Sequence, residues 1–479
     1  MIQIDLYRQP DKPQMLLRPT HPKPQPNATQ PARRTPLAWT VTLSLGLLLG
    51  GCASLFQYEE TPDPTNNPAL SQATWWSDFH DPLLADLITR AMQASPNILS
   101  AKAALQQARA ILDVNLAANR LNIAVSGSVQ RNTADEGPSS VVFRGGLDAS
   151  WEIDVFGANR SAVANSEAEL QVSIANLRDT QLSMTAEVVL AYIQLRSLQA
   201  QLDIARNSLS SQQETLQITQ WRAQAGLVTS LEVEQAKTAE AQSAAQIPAL
   251  LGSLGQARHS LAVLTGQNPN ELEAELQAAG PIPQIDAQLA NVIPADSLRQ
   301  RADVRAAEER ITAALAAVDE AQKARLPKFK LGGSLGMTAL TLAGFSNGAA
   351  VASQILGAVA MPILDGGASK AQVRVQQAGL EQARAAYQNT LLTALKEVED
   401  ALITLSNDRE RLGYLQQAVS SANNAALLAQ NSYNSGLVDY QTVLQTQRTL
   451  LVTQVSVANV QTDLSTGHVR LIKAMGGGW

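Results

Sequence analysis

Few side chains in this 479-residue sequence are spaced for chemistry. Gly332-Gly333-Ser334-Leu335-Gly336 has the G-x-S-x-G form of a nucleophile elbow, but an elbow needs a strand that turns straight into a helix. Here the flanking sequence alternates like one arm of a strand hairpin, so small side chains in a sheet wall are the better reading. The four histidines, His21, His80, His259 and His468, lie far apart. His80, between Asp78 and Asp81, fits a polar residue beside helix-start aspartates better than a metal ligand. Glu397, Glu399 and Asp400, with Lys396 among them, read as a solvated helix face. No phosphate-cradling glycine loop is present. The lone cysteine, Cys52, can build neither a disulfide nor a metal site. These residues predict a protein that is not an enzyme and holds no cofactor and no metal.

The elements that carry such residues are long. A proline-free run over 366–435, closed by Ser435-Gly436-Leu437-Val438, would span ~100 Å as a helix. Leu391, Val398, Leu405, Leu412 and Val419 recur every seven residues along it, with Tyr387, Leu395 and Leu402 on adjoining positions, a seam that packs helices side by side. An earlier copy lies 210 residues upstream: Trp151 to Gly157 aligns with Met361 to Gly367, Gly226-Leu227-Val228 with Gly436-Leu437-Val438, Gln235 with Gln445, and Gly266 with Gly476. The first copy keeps the seam through Leu170, Ile174, Leu177, Met184, Val188, Ala191, Leu195, Leu198, Leu202, Ala205 and Leu209, interrupted only by Gln181. The chain is a tandem duplication of one unit.

Composition agrees with a mainly α fold with a small β part. Hydrophobic residues make up 45% but aromatics only 4%, so the apolar content is the alanine, leucine and valine of packed helices. Shorter helices are predicted at 84–117, with a break at Ser95-Pro96, and at 296–325. Four alternating segments, 123–130, 145–153, 330–337 and 354–363, read as strands, two per repeat, with hairpin loops at 131–144 and 338–353. Four strands cannot close a barrel, and an open edge cannot lie in lipid, so a membrane role requires association; three chains would supply twelve strands.

The first 51 residues form a leader: a proline-rich polar segment over 1–36, then Arg33-Arg34 before an apolar run too short to span a membrane but suited to a signal-peptide core. It ends Leu49-Gly50-Gly51-Cys52, which resembles a bacterial lipobox and marks Cys52 for lipid attachment. The net charge of −6 becomes −10 without the leader, which argues against a nucleic-acid partner. The expected division is leader and lipoprotein signal peptide 1–51, lipidated tether 52–74, first repeat 75–266, irregular linker 267–295 with four prolines, and second repeat 296–479.

Taken together, several motifs carry a family resemblance: Trp75-Trp76 to Pro82, Ser150 to Gly157, Leu364-Asp365-Gly366-Gly367, Glu397 to Leu402, Gly436-Leu437-Val438-Asp439-Tyr440, and the ending Gly476-Gly477-Gly478-Trp479. From Trp75 onward the chain resembles the outer-membrane factor family, in the lipoprotein branch of tripartite RND-type efflux systems. The resemblance implies a homotrimer: a 12-stranded β-barrel continued by a periplasmic α-helical barrel, with the tether and the 267–295 segment as a belt. It implies the outer membrane of a Gram-negative bacterium, a periplasmic adaptor (membrane fusion) protein and an inner-membrane efflux pump as partners, and passive conduction of what the pump delivers. A structural or adaptor-type coiled-coil lipoprotein is the alternative, though an adaptor carries one hairpin and not two copies of this unit. In that family an acidic ring near the periplasmic turns narrows the resting pore. The positions matching it here are Asp439, with Tyr440 beside it and Glu232 from the first turn, next to the turn glycines Gly226 and Gly436. Another branch's carboxylate positions are Thr442 and Gln445 in this sequence. Asp439 and Thr229 also fit as plain helix N-caps, and Thr229-Ser230-Leu231-Glu232 fits a capping box.

Overall fold

The computed structural model describes residues 74–133, 140–285 and 297–477. Cys52, the leader, the tether up to residue 73, residues 134–139 and 286–296, and the terminal Gly478 and Trp479 lie outside the described residues. A 3-10 turn, Trp75–Phe79, leads into α1 (Pro82–Ala94), whose first N–H groups are capped by the Asp81 carboxylate. Ser95, in extended geometry, stops that helix, and Pro96 opens α2 (Pro96–Ala118), the restart that Ser95-Pro96 predicts. Then come β1 (Asn122–Asn132), β2 (Ser140–Ile153), α3 (Ala158–Gln224) and α4 (Ser230–Leu264). After a single turn at Ser297–Gln300 the plan repeats with α5 (Ala302–Lys323), β3 (Lys328–Ala339), β4 (Ala350–Ala360), α6 (Ala368–Asn434) and α7 (Tyr440–Ala474). The helices α3 and α6 have 67 residues each, and α4 and α7 have 35 each. Both pairs of bounds are offset by the same 210 positions as the sequence repeat.

The strands run further into the hairpins than alternation alone predicts. β2 starts at Ser140 and not at Gly145, and β4 at Ala350 and not at Gln354, so the two loops shrink from the predicted 131–144 and 338–353. The reason lies in the ladder: Val141, Val142 and Phe143 pair with Arg131, Gln130 and Val129, so pairing carries the strand through the glycines where alternation was lost. β4 also ends early, at Ala360, because Pro362 cannot donate to the ladder. The sheet is antiparallel in the order β1-β2-β3-β4, leaving β1 and β4 as edges.

Packing differs between the repeats. α3 is covered by α1, α2, α4, α5 and α7, and its predicted seam from Leu170 to Leu209 is buried or half-buried at every position. α6 packs chiefly on α5 and α7, and meets α3 only near its far end, at Gln430 and Tyr433. Its Val398 and Leu405 are buried, with Leu391, Leu412 and Val419 half-buried, but Leu395 is 42% exposed. The second row of that seam is Ala394, Ala401, Leu415, Ala422 and Ala429, one residue before the predicted Leu395 and Leu402. Alanine lets the α6 and α7 backbones approach; Leu402 stays half-buried against that core, whereas Leu395 turns to the uncovered side. Over its described part, 267–285, the linker consists of turns and irregular chain. It is held down by buried Leu272, Leu276 and Ile285, and by Arg196 and Gln199 of α3, which donate to the carbonyls of Ala278 and Leu276.

Candidate functional site

The ends of α3 and α6 remote from the sheet are built alike. Gly226 (φ 72°) and Gly436 (φ 74°) take the left-handed conformation that ends each helix, and the next N–H groups, of Leu227 and Leu437, donate back to Arg222 and Ser432 at 2.8 Å. Both leucines are exposed. Asp439 caps α7: its carboxylate accepts from the Thr442 hydroxyl at 2.8 Å and the Thr442 N–H at 3.0 Å. Those two donors hold Asp439 below the usual carboxylate range, and the side chain faces solvent. Thr229, at the matching place before α4, makes no side-chain cap bond, so the capping box predicted with Glu232 is not formed; Glu232 is half-buried and only its N–H reaches the Thr229 carbonyl. Tyr440 is buried edge-on against Tyr433, with ring centroids 6.1 Å apart, and burial pushes its phenol up to about 12.

Three residues of this end were not legible in the sequence. The Arg222 guanidinium lies 4.4 Å from the centre of the Tyr433 ring and also donates to the Tyr433 carbonyl. Thr219 and the Tyr433 hydroxyl share a buried hydrogen bond of 3.1 Å. They fasten the α3–α4 hairpin to the α6–α7 hairpin across 211 and 214 residues of sequence. The one local signal was a lone cation, Arg222, in the last turn of α3. Farther along, Gln447 donates to Thr215 at 3.1 Å, and Thr215 to Gln430 at 3.3 Å, continuing a polar seam between the hairpins.

The other chemical candidates stay apart. Ser334 lies inside β3, which runs on to Ala339 before a 3-10 turn at Leu342–Phe345, so the serine does not sit at a strand-to-helix elbow. His80 Nδ1 sits 2.9 Å from the Asp78 carbonyl, and His259 is exposed on α4. His468 is buried in α7, where burial lowers its pKa; Nδ1–H donates to the Leu464 carbonyl at 2.8 Å and Nε2 accepts from Arg409 at 3.3 Å. Among the described residues no group of side chains could hold a metal ion. Lys396 and Asp400 do form an exposed pair, but Glu397 corrects the reading of a merely solvated face. It pairs at 2.8 Å with Arg301, which also binds Asp303 and the Ala474 carbonyl, tying the start of α5 to α6 and the end of α7.

At the opposite end of the long helices, the sheet has two unlike faces. Its registers pair odd-numbered residues with odd and even with even throughout. The odd face carries Ile123, Val125, Leu147, Trp151, Leu331, Leu335, Val351, Ile355 and Val359, all exposed; the even face carries Ser126, Gln130, Asp148, Glu152, Lys330, Ser334 and Gln354. That is the alternation of a barrel wall with lipid on one side and water on the other. No described helix is long and apolar enough to cross a membrane. The family model for outer membrane efflux proteins matches residues 87–267 and 293–477. The chain belongs to the outer membrane efflux protein family. Within it, the pyoverdine export outer membrane protein OpmQ of Pseudomonas putida is 30% identical over 433 residues, covering 88% of this chain and 91% of the relative. The toluene efflux pump outer membrane protein TtgF of Pseudomonas putida is 27% identical over 466 residues, covering 92% and 96%. The solved outer-membrane channel OprN superposes with a TM-score of 0.79 at 31% identity, over 85% of this chain and 93% of that one. This outer membrane efflux protein shares their fold, a short β-barrel wall continued by long helices, and works at the outer membrane as an efflux exit.

Proposed function

We propose that three copies of this chain close into a duct that passively conducts substrates handed over by an inner-membrane pump and a periplasmic adaptor. The observation that carries the reading is the four-stranded sheet. One face is apolar, both edges are open, and it stands at one end of two 67-residue helices, so it can be stable in lipid only when like sheets complete the barrel. Twelve strands is an even number within the known range for such barrels. Cys52 is the proposed lipid attachment site. The helix ends at Gly226 and Gly436 form the proposed periplasmic gate. Asp439, three copies around one axis, supplies its charge; Glu232 flanks it, and Tyr440 fixes the turn from beneath. Arg222 on Tyr433 is the latch holding the two hairpins of each chain together. Toluene and pyoverdine belong to the names of relatives, and two such different cargoes on one fold leave the cargo of this chain to its pump. Single-channel recording on purified, reconstituted protein tests the duct: discrete conductance steps are expected, and a trimer-sized sample without any conductance would overturn the reading.

A further inference from the structure

We propose that Lys328 and Lys330, with their copies in the trimer, form a basic collar at the helix-side mouth of the barrel that gathers anions and briefly holds multivalent ones. The proposal rests on the trimeric-duct reading and adds to it a site in the barrel wall. Both lysines are even-numbered, on the polar face of β3 that looks away from lipid. Lys330 is in register with Glu152 on one side and Ala358 on the other, and Lys328 with Ala360. Among the described residues Glu152 is the single acid within reach of both, at 3.7 Å from Lys328 and 3.6 Å from Lys330, longer than the ~2.8 Å of a charge-assisted hydrogen bond. The lysine side chains are 47% and 65% exposed, so one partly satisfied carboxylate is shared between two accessible ammonium groups.

The surroundings leave that excess charge uncovered. On the same face the neighbouring positions are Ser150, Gly332, Leu356, Ala358 and Ala360, none of which carries a counter-charge. Over all described strand residues of the polar face, Arg144, Lys328 and Lys330 stand against Asp148 and Glu152, an excess of one positive charge per chain. In a trimer six lysines and three glutamates would ring one axis. Twelve strands spaced by ~4.8 Å and tilted by ~40° enclose a barrel of about 12 Å radius. An ion on the axis is then little more than one Debye length, ~8 Å, from every lysine at physiological salt, and well within the ~30 Å of 0.01 M salt. The collar therefore acts on passing ions, most strongly in dilute salt. Asp439, at the far end of the helices, carries the opposite sign, so the two ends of the duct prefer opposite charges.

The sidedness gives the test. Oriented single channels are recorded in dilute potassium chloride with inorganic tripolyphosphate added to the barrel side. Wild type should show current block from that side that fades as salt is raised. Lys328→Gln/Lys330→Gln should lose the block while forming trimers and conducting, Lys328→Arg/Lys330→Arg should keep it, and so should Asp439→Asn. Equal block in the double glutamine variant and wild type, or no block in a conducting wild type, would overturn the collar alone. Absence of conductance in wild type would instead overturn the duct reading beneath it.

Discussion

Asp439 shows how one side chain can serve as cap and as gate. Its two bonds to Thr442 favour the charged form, so its pKa is lowered, and the linkage has one sign: the stability it contributes is present above the ordinary aspartate value and is lost as pH falls through the depressed folded value. Asparagine caps a helix about as well as aspartate but carries no charge. Asp439→Asn should therefore leave the thermal midpoint near wild type while changing resting conductance and lowering cation preference; unchanged conductance would leave the residue as a cap only. Acidifying wild type through the same window should move its conductance toward that of the variant, and the variant should respond less. Arg222 acts differently, because it binds by ring contact and carbonyl together. Arg222→Gln removes a cation–π contact of about 0.5–2 kcal/mol, and should raise the resting conductance by loosening the hairpins from each other. The same loosening should appear as faster hydrogen exchange at the ends of α3 and α6; a resting conductance equal to wild type would exclude the latch.

At the scale of elements, the periodicity of large apolar residues was legible and the contact distance was not. The row Leu391, Val398, Leu405, Leu412 and Val419 packs where its heptad spacing predicts, and so does the whole α3 seam. The second α6 row was read from the bulk of Leu395 and Leu402; Leu402 does pack, half-buried, against the core, but the centre of the interface takes Ala394, 0% exposed, and Ala401, 7% exposed, because close helices favour small residues where their axes approach. Sequence pattern rewards bulk, and a tight crossing does not. Arg301 with Glu397 and Arg222 with Tyr433 escaped for another reason: their partners lie 96 and 211 residues away, and no local period links them. The duplication itself was fully legible, since glycines at the same offset set the ends of both long helices. The corrected seam predicts a contrast. Ala401→Leu should destabilise by about 1–3 kcal/mol through overpacking between α6 and α7. Leu195→Asp, at a fully buried α3 position, should cost more, as a buried carboxylate without a partner replaces ~2 kcal/mol of apolar burial, while Leu402→Asp should be milder. Thermal unfolding and crosslinked trimer yield check the order, and unaltered trimers in Leu195→Asp would refute the seam.

The whole molecule joins a membrane wall with two open edges to two long helices, of which α3 is covered within one chain and α6 is not. The sheet ends in two open edges, whereas α3 is already covered by five other helices, so association is demanded mainly at the barrel and along the uncovered side of α6 with its exposed Leu392, Leu395, Ile403 and Leu428. Membrane residence should then depend on barrel closure far more than on lipid. A single acyl chain gives only marginal, reversible binding, whereas a closed barrel buries the apolar face of every strand. Cys52→Ser removes the thiol that the Leu49-Gly50-Gly51-Cys52 motif offers for acylation, so the variant should lack lipid and escape cleavage by the lipoprotein route. Its trimers should nevertheless fractionate with the outer membrane and conduct as wild type does. Mass spectrometry of the mature N-terminus measures the first outcome, and an unmodified Cys52 in wild type would refute the lipid site. Membrane fractionation measures the second: if trimers assembled from Cys52→Ser were released to the soluble fraction, lipid and not the barrel would be the principal anchor.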